Sequence, residues 1–166
     1  STRRSASAAS AIQPGKDLEA RAELARLKTD RVDPLELYQA TKKLSEALPG
    51  DAEAQKALDQ ARADAVRYYS KLAETMFDGG SFQDAYQSYE NARKVKPDDE
   101  IFKGLKYRIA RAKSFEADGD ARLKSGDALA AYRAYEEAQK SADLPGLGAK
   151  LDRAKRGAGS LIEQLE

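Results

Sequence analysis

Three segments of the chain begin in the same way, with a residue that favours a helix start after a short loop. They are residues 33–40 (Asp-Pro-Leu-Glu-Leu-Tyr-Gln-Ala), 81–88 (Ser-Phe-Gln-Asp-Ala-Tyr-Gln-Ser) and 127–134 (Asp-Ala-Leu-Ala-Ala-Tyr-Arg-Ala). The starts at 33, 81 and 127 are 48 and 46 residues apart. Recurrence at such a period is typical of helical repeats, in which each unit buries its apolar face only against its neighbours. The spacing therefore indicates an array of helical hairpins.

The charges of the chain nearly cancel, since 29 Lys and Arg oppose 28 Asp and Glu for a net charge of +1. They are interspersed along helical faces, which is typical of solvated surface and unlike the basic stripe of a nucleic-acid binder. The chain has no His and no Cys, so histidine bases, thiol nucleophiles and Cys/His zinc sites are excluded. We expect no enzymatic activity, no catalytic residue, no cofactor, no metal and no nucleic-acid partner.

The N-terminal residues 1–16 are small and polar, with a Pro14-Gly15 break at their end. They resemble a flexible tail or tether, of the kind that follows a removed signal or a lipid anchor in a bacterial envelope protein. A periplasmic or envelope-tethered location is therefore slightly favoured over a cytoplasmic one. No apolar run approaches the ~20 residues that span a bilayer. We expect residues 17–166 to form a single helical domain without a membrane span.

Caps, breakers and apolar spacing predict seven helices and no strand, and therefore an all-α fold. The predicted helices begin near Asp17, Asp33, Asp51, Ser81, Asp98, Asp127 and Ala149. The fifth runs from about residue 98 to residue 125, where Gly119 marks a weak point, a kink or a close helix approach. The seventh continues to Glu166. We expect three antiparallel hairpins and a terminal capping helix.

The stretch from Tyr69 to Pro97 resembles a tetratricopeptide repeat, a 34-residue helix–turn–helix unit. The matching residues are Tyr69, Leu72, Ala73, Met76, Gly80, Phe82, Ala85, Tyr89, Ala92 and Pro97. The small residues among them let helices approach closely, and the aromatic ones fill the gaps. The hairpins from Phe115 to Leu144 and from Leu24 to Pro49 match more weakly. The resemblance implies a right-handed α-solenoid.

The repeat period is longer than the 34 residues of that family, and the excess precedes Tyr69 and Phe115. The first helix of each hairpin is therefore predicted to extend by roughly 20 Å at the usual rise per residue. The extensions cover residues 52–65 and 100–111. Either they pack within the chain, or they offer a surface to a second chain, such as another copy of this one.

The resemblance also implies a groove, lined by the first helix of each hairpin, that binds an extended peptide or a helix. The corresponding residues are Arg67, Ser70, Lys71, Glu74, Phe77, Lys113, Glu116, Asp120 and Lys124. Tyr68 and Tyr107 lie beside the apolar stripe and are candidate exposed interface aromatics. The recurring Tyr38, Tyr86 and Tyr132 are instead expected to pack between helices.

The function that this pattern favours is a non-enzymatic adaptor or scaffold, which binds a peptide or a partner protein through a preorganised surface. The alternative is a structural protein that self-assembles into a homo-oligomer through its extended helices or its open ends. The sequence leaves the partner unidentified.

Overall fold

The computed structural model describes residues 14–29, 32–159 and 161. Within them the chain is all-α, with seven α-helices, one short 3₁₀ helix and no strand. The helices are α1 (Pro14–Thr29), α2 (Pro34–Ala47), α3 (Ala52–Asp78), α4 (Phe82–Val95), α5 (Leu105–Lys124), α6 (Ala128–Ser141) and α7 (Leu147–Ala158). The predicted fold class and the number of α-helices are confirmed.

Aspartates begin α2 and α6 as predicted. The Asp33 carboxylate accepts hydrogen bonds from the backbone N–H groups of Leu35 and Glu36, at 2.9 and 3.4 Å. The Asp127 carboxylate accepts one from the N–H of Ala130 at 3.0 Å. Each cap satisfies donors that have no partner inside the helix.

Glycines end α3 and α5 with the same hydrogen-bond pattern. After α3, Gly80 N–H donates to the Phe77 carbonyl and Ser81 N–H to the Met76 carbonyl, at 3.0 and 2.8 Å. After α5, Gly126 and Asp127 make the equivalent pair to Leu123 and Arg122, at 3.1 and 3.0 Å. Both are Schellman motifs. They need φ values of +82° and +87° at Gly80 and Gly126, which glycine adopts without steric cost.

Three helix boundaries differ from the prediction. Helix α1 begins at Pro14, so residues 14–16 are helical and do not belong to the tail; residues 1–13 lie outside the described residues. Helix α7 covers Leu147–Ala158 and ends at Gly159, where φ is +52°. Of the predicted continuation to Glu166, residue 160 and residues 162–166 also lie outside the described part of the chain.

The third difference concerns the segment before Phe115, which forms two elements instead of the single predicted helix. Glu100–Lys103 form a 3₁₀ helix capped by Asp99, and Gly104 is extended at φ −70° and ψ 154°. Helix α5 therefore begins only at Leu105. The aspartate cap and the Gly104 N–H bond to the Ile101 carbonyl, at 3.0 Å, close the short helix. The predicted N-terminal extension of this helix is therefore shorter than expected, since only its residues 105–111 belong to α5.

The chain divides into two compact units, and the division falls within α3. The N-terminal unit contains the described residues up to Tyr68 together with Lys94–Lys96. One cluster of its buried side chains joins α1, the end of α2 and the start of α3 through Leu24, Leu27, Leu44, Leu48 and Ala54. A second joins α2 to the middle of α3 through Tyr38, Leu58, Ala61 and Ala65, with Val95. The extension over residues 52–65 thus packs within this unit.

The C-terminal unit contains Tyr69–Arg93 and the described residues from Pro97 onward. One cluster holds Ala73, Ala85, Tyr89, Tyr107 and Ala110, with Ile101 and Phe102 against it. The other is built by α5, α6 and α7 around Tyr135 and Leu147. Residues 100–111 therefore also pack internally. Within each unit, the packing of neighbouring helices fits a helical bundle or solenoid.

The recurring tyrosines are packing residues, as predicted. Tyr38 is buried at 7% exposure. Tyr86 is half-buried between the rings of Tyr107 and Phe115, with centroids 6.2 and 6.1 Å away. Tyr132 packs against the α5–α6–α7 cluster.

Gly119 marks a close helix contact in the C-terminal unit. It is buried in α5, and a Cβ built on it would lie 2.4 Å from a carbon of the Tyr135 ring. That ring is 1% exposed and is held by a 2.7 Å hydrogen bond from its hydroxyl to Asp120. Of the readings left open for Gly119, the close approach is confirmed.

We predict that Gly119→Ala lowers the urea midpoint of the chain. Overpacking against Tyr135 costs about 1–3 kcal/mol, which exceeds the ~1 kcal/mol that alanine gains over glycine in a helix. The control is Gly148→Ala in α7, where nothing lies within 4 Å of the added Cβ. A Gly119→Ala chain as stable as the control would contradict the close contact.

Candidate functional site

The N-terminal unit has a cleft of about 450 Å³ between α1, α2 and α3. Its lining divides into an apolar floor and a polar rim. The floor is Leu24, Leu27, Leu37, Ala57 and Ala61, with Thr41; the rim is Lys28, Glu53, Lys56, Gln60 and Asp64. Clefts of this size and character commonly bind ligands or peptide side chains.

The floor exists because three helices meet there with side chains of unequal size. Leu37 of α2 packs against both buried clusters of the unit, so it lies at their junction. Helix α1 contributes two leucines, whereas α3 contributes only Ala57 and Ala61. The small alanine side chains leave open the volume that larger residues would fill.

Arg21 fixes α1 against the start of α3. Its guanidinium donates to the Asp51 carboxylate, to Asp17 at 3.1 Å and to Glu53 at 3.5 Å. The Ala54 backbone N–H, which donates to Asp51, and the Arg21 side chain lower the pKa of the Asp51 carboxyl below its ordinary value. Since Asp51 precedes the first residue of α3, this contact joins α1 to the start of a helix that lines the cleft.

The structure brings Phe77 and Lys113, two of the predicted groove residues, together around a third side chain. The Phe77 and Phe82 rings make an edge-to-face contact at 5.2 Å. The Lys113 Nζ lies 5.4 Å from the Phe82 ring centroid, and the Lys106 Nζ lies 5.8 Å from that of Phe77. These contacts form a small cationic and aromatic patch in the C-terminal unit.

Glu116 and Asp120, also predicted groove residues, contact α7. The Lys150 ammonium lies 2.9 Å from the Asp120 carboxylate and 3.7 Å from that of Glu116. Tyr135 donates its hydroxyl proton to Asp120 as well. Burial and this hydrogen bond raise the pKa of Tyr135. Lys124 lines a shallow cleft of about 330 Å³ beside Asp120 and Lys150.

The other predicted groove residues lie on α3. Arg67 belongs to the N-terminal unit, where it pairs with Asp64 at 3.4 Å. Ser70 has a buried hydroxyl oxygen without a hydrogen-bond partner in the described part of the chain. Lys71 and Glu74 are exposed. A single groove through all nine residues stays a prediction.

The two candidate interface aromatics differ in solvent exposure. Tyr68 is exposed at 50%, as predicted. For Tyr107 the predicted exposure is wrong: it is 6% exposed, and its hydroxyl donates to Glu90 and accepts from Arg93, both at 3.1 Å. Leu105, which follows the break at Gly104 as the first residue of α5, is 60% exposed.

Sequence reasoning missed the cleft. Its floor residues carry the apolar spacing of ordinary core positions, and nothing in the sequence distinguishes a core leucine from one beneath an open surface. The only available signal was the pairing of small Ala57 and Ala61 with leucine-rich α1.

No protein-family model matches the chain, and neither a curated protein nor a solved structure shows significant similarity to it. The resemblance to tetratricopeptide repeats therefore stays a prediction. Among residues 14–29, 32–159 and 161, no helix is long and apolar enough to cross a membrane. The same residues contain no group of three or more acidic side chains arranged to hold a metal ion.

Tyr89 makes the C-terminal unit sensitive to alkaline pH. It is 1% exposed, and burial, followed by the charges of Glu74 and Asp78, raises its pKa to about 12. The unfolded chain ionises this phenol near its ordinary pKa of about 10. Stability due to Tyr89 is therefore complete below about pH 10 and is lost as the pH rises towards 12.

We predict that Tyr89→Phe reduces the fall in urea midpoint between about pH 9 and pH 11.5, because phenylalanine cannot ionise. The control is Tyr68→Phe, whose ring is half exposed and which should follow the native chain. Parallel curves for all three proteins would contradict the assignment to Tyr89.

Proposed function

We propose that the chain is a non-enzymatic protein-binding scaffold, and that the cleft between α1, α2 and α3 receives apolar side chains of the partner. The observation that carries this proposal is the division of the cleft into an aliphatic floor and a polar rim. Such a division is typical of protein-binding surfaces, in which apolar anchors supply affinity and the rim excludes water.

The size of the cleft favours a helix as its occupant. An apolar cavity of about 150 Å³ holds one benzene-sized group, so a cleft of about 450 Å³ holds two or three aliphatic side chains. A helix presents such a set on one face, at positions i, i+3, i+4 and i+7. The floor is itself made by helices, against which another helix packs with ordinary ridge-and-groove geometry.

The tetratricopeptide-like character of the chain belongs to this proposal. It is supported by the identical Schellman motifs after α3 and α5 and by the aspartate caps of α2 and α6. It is also supported by the complete burial of Ala73, Ala85 and Ala92, which the resemblance assigns to close helix contacts.

A second candidate is self-assembly into a homo-oligomer. It is favoured by two large apolar side chains exposed in the N-terminal unit, Leu18 at 72% and Tyr68 at 50%. Light scattering over a concentration series tests it, because a self-assembling chain gains mass with concentration. A constant monomer mass would exclude this candidate.

We predict that Ala57→Phe, which places a ring in the cleft, weakens the binding of a neutral amphipathic peptide at least about tenfold. The peptide has about 16 residues, enough to hold a helix, with leucines at helical spacing and glutamine elsewhere. Affinity is measured by fluorescence anisotropy with the full chain. The reason is that the added ring occupies the volume that the leucines would enter.

The control is Ala63→Phe, which makes the same change at an exposed position of α3 that does not line the cleft. Circular dichroism checks that both variants are folded. Equal affinity of the two variants, or no binding to the native chain, would remove the cleft as the binding site.

A further inference from the structure

The acidic and basic side chains of the cleft rim differ in their ion pairs. Glu53 lies 3.5 Å from the Arg21 guanidinium. Asp64 lies 3.4 Å from that of Arg67 and accepts a hydrogen bond from Gln60 at 2.9 Å. Both carboxylates are therefore paired with arginines of the same unit.

The rim lysines, in contrast, have no such neighbour. Lys28 and Lys56 are exposed, and the described residues offer neither of them an ion pair or a side-chain hydrogen bond. The charged side chains of the rim that lack a partner are thus both positive.

The positions of the lysines relate this charge to the floor. Lys28 lies one turn after Leu24 on α1, so the two side chains share a helix face. Lys56 precedes Ala57 on α3, one turn before Gln60. The two ammonium groups come from α1 and α3, which both line the cleft. Each helix therefore carries one lysine beside the apolar floor.

We infer that the cleft selects an acidic amphipathic helix of a partner protein, with leucine-like anchors on one face and Asp or Glu beside them. This inference rests on the proposed function and adds the charge of the partner to it. The anchors enter the floor, and the flanking carboxylates pair with Lys28 and Lys56. Complementary rim charges give specificity and speed of association more than affinity, and salt screens them.

The experiment compares three peptides of about 16 residues with the same leucine positions and with Glu, Gln or Lys at the flanking positions. Binding to the full chain is measured by fluorescence anisotropy at low ionic strength and again at about 1 M salt, where the Debye length is about 3 Å. We expect the Glu peptide to bind about tenfold more tightly than the Gln peptide at low salt. The Lys peptide should bind most weakly, and the order should collapse at high salt.

The double variant Lys28→Glu/Lys56→Glu should reverse the order of the Glu and Lys peptides. Its control is Lys42→Glu/Lys43→Glu, which changes the net charge by the same amount at exposed positions of α2 outside the cleft. This control should keep the native order.

The outcomes separate the two proposals. Equal binding of the Glu and Gln peptides overturns the charge inference and leaves the proposed function standing. Failure of all three peptides overturns both. If the control pair Lys42→Glu/Lys43→Glu reverses the peptide order equally, the effect is one of general charge. If the chain self-associates and Lys28→Glu/Lys56→Glu abolishes this, the occupant is a second copy. Either result overturns the inference.

Discussion

Close contact between helices through alanine and glycine is the constraint on which the rest of the structure depends. Ala73, Ala85 and Ala92 are completely buried, and Gly119 lies against the Tyr135 ring. Because alanine buries little apolar area, tyrosines supply much of it, and each buried tyrosine brings a hydroxyl that needs a partner. The contacts of Tyr107 with Glu90 and of Tyr135 with Asp120 follow from this need. The polar network of the C-terminal unit is thus a consequence of the small residues at its helix contacts.

The same use of alanine explains the cleft. In the C-terminal unit, tyrosine rings fill the space that the alanines leave. At the junction of α1, α2 and α3, no ring enters between Ala57 and the leucines of α1, and the space stays open to solvent. A surface for apolar side chains therefore arises from the composition that permits close packing elsewhere. The rim groups Glu53 and Asp64 serve the unit itself through their arginines, whereas Lys28 and Lys56 remain available to a partner.

The helix starts and stops were predictable, because each depends on hydrogen bonds within a few residues. Asp33, Asp127, Gly80 and Gly126 all act as the sequence indicates. The start of α5 was not predictable, because the apolar spacing continues across Gly104 although the helix does not. After that break Leu105 is exposed and Tyr107 is buried. The contact of Lys150 with Glu116 and Asp120 joins residues about 30 positions apart, and the cleft joins three helices. Such relations depend on packing that local spacing does not encode.

The Schellman motifs after α3 and α5 have a consequence for which substitutions the chain tolerates. In each, the last carbonyls of the helix are satisfied by the turn itself, at Gly80–Ser81 and at Gly126–Asp127. These donors precede the first residues of α4 and α6, so the turn requires no N–H group of the helix that follows. Each of these helix ends is therefore closed by its own turn, and substitutions within α4 or α6 leave the last carbonyls of α3 and α5 satisfied.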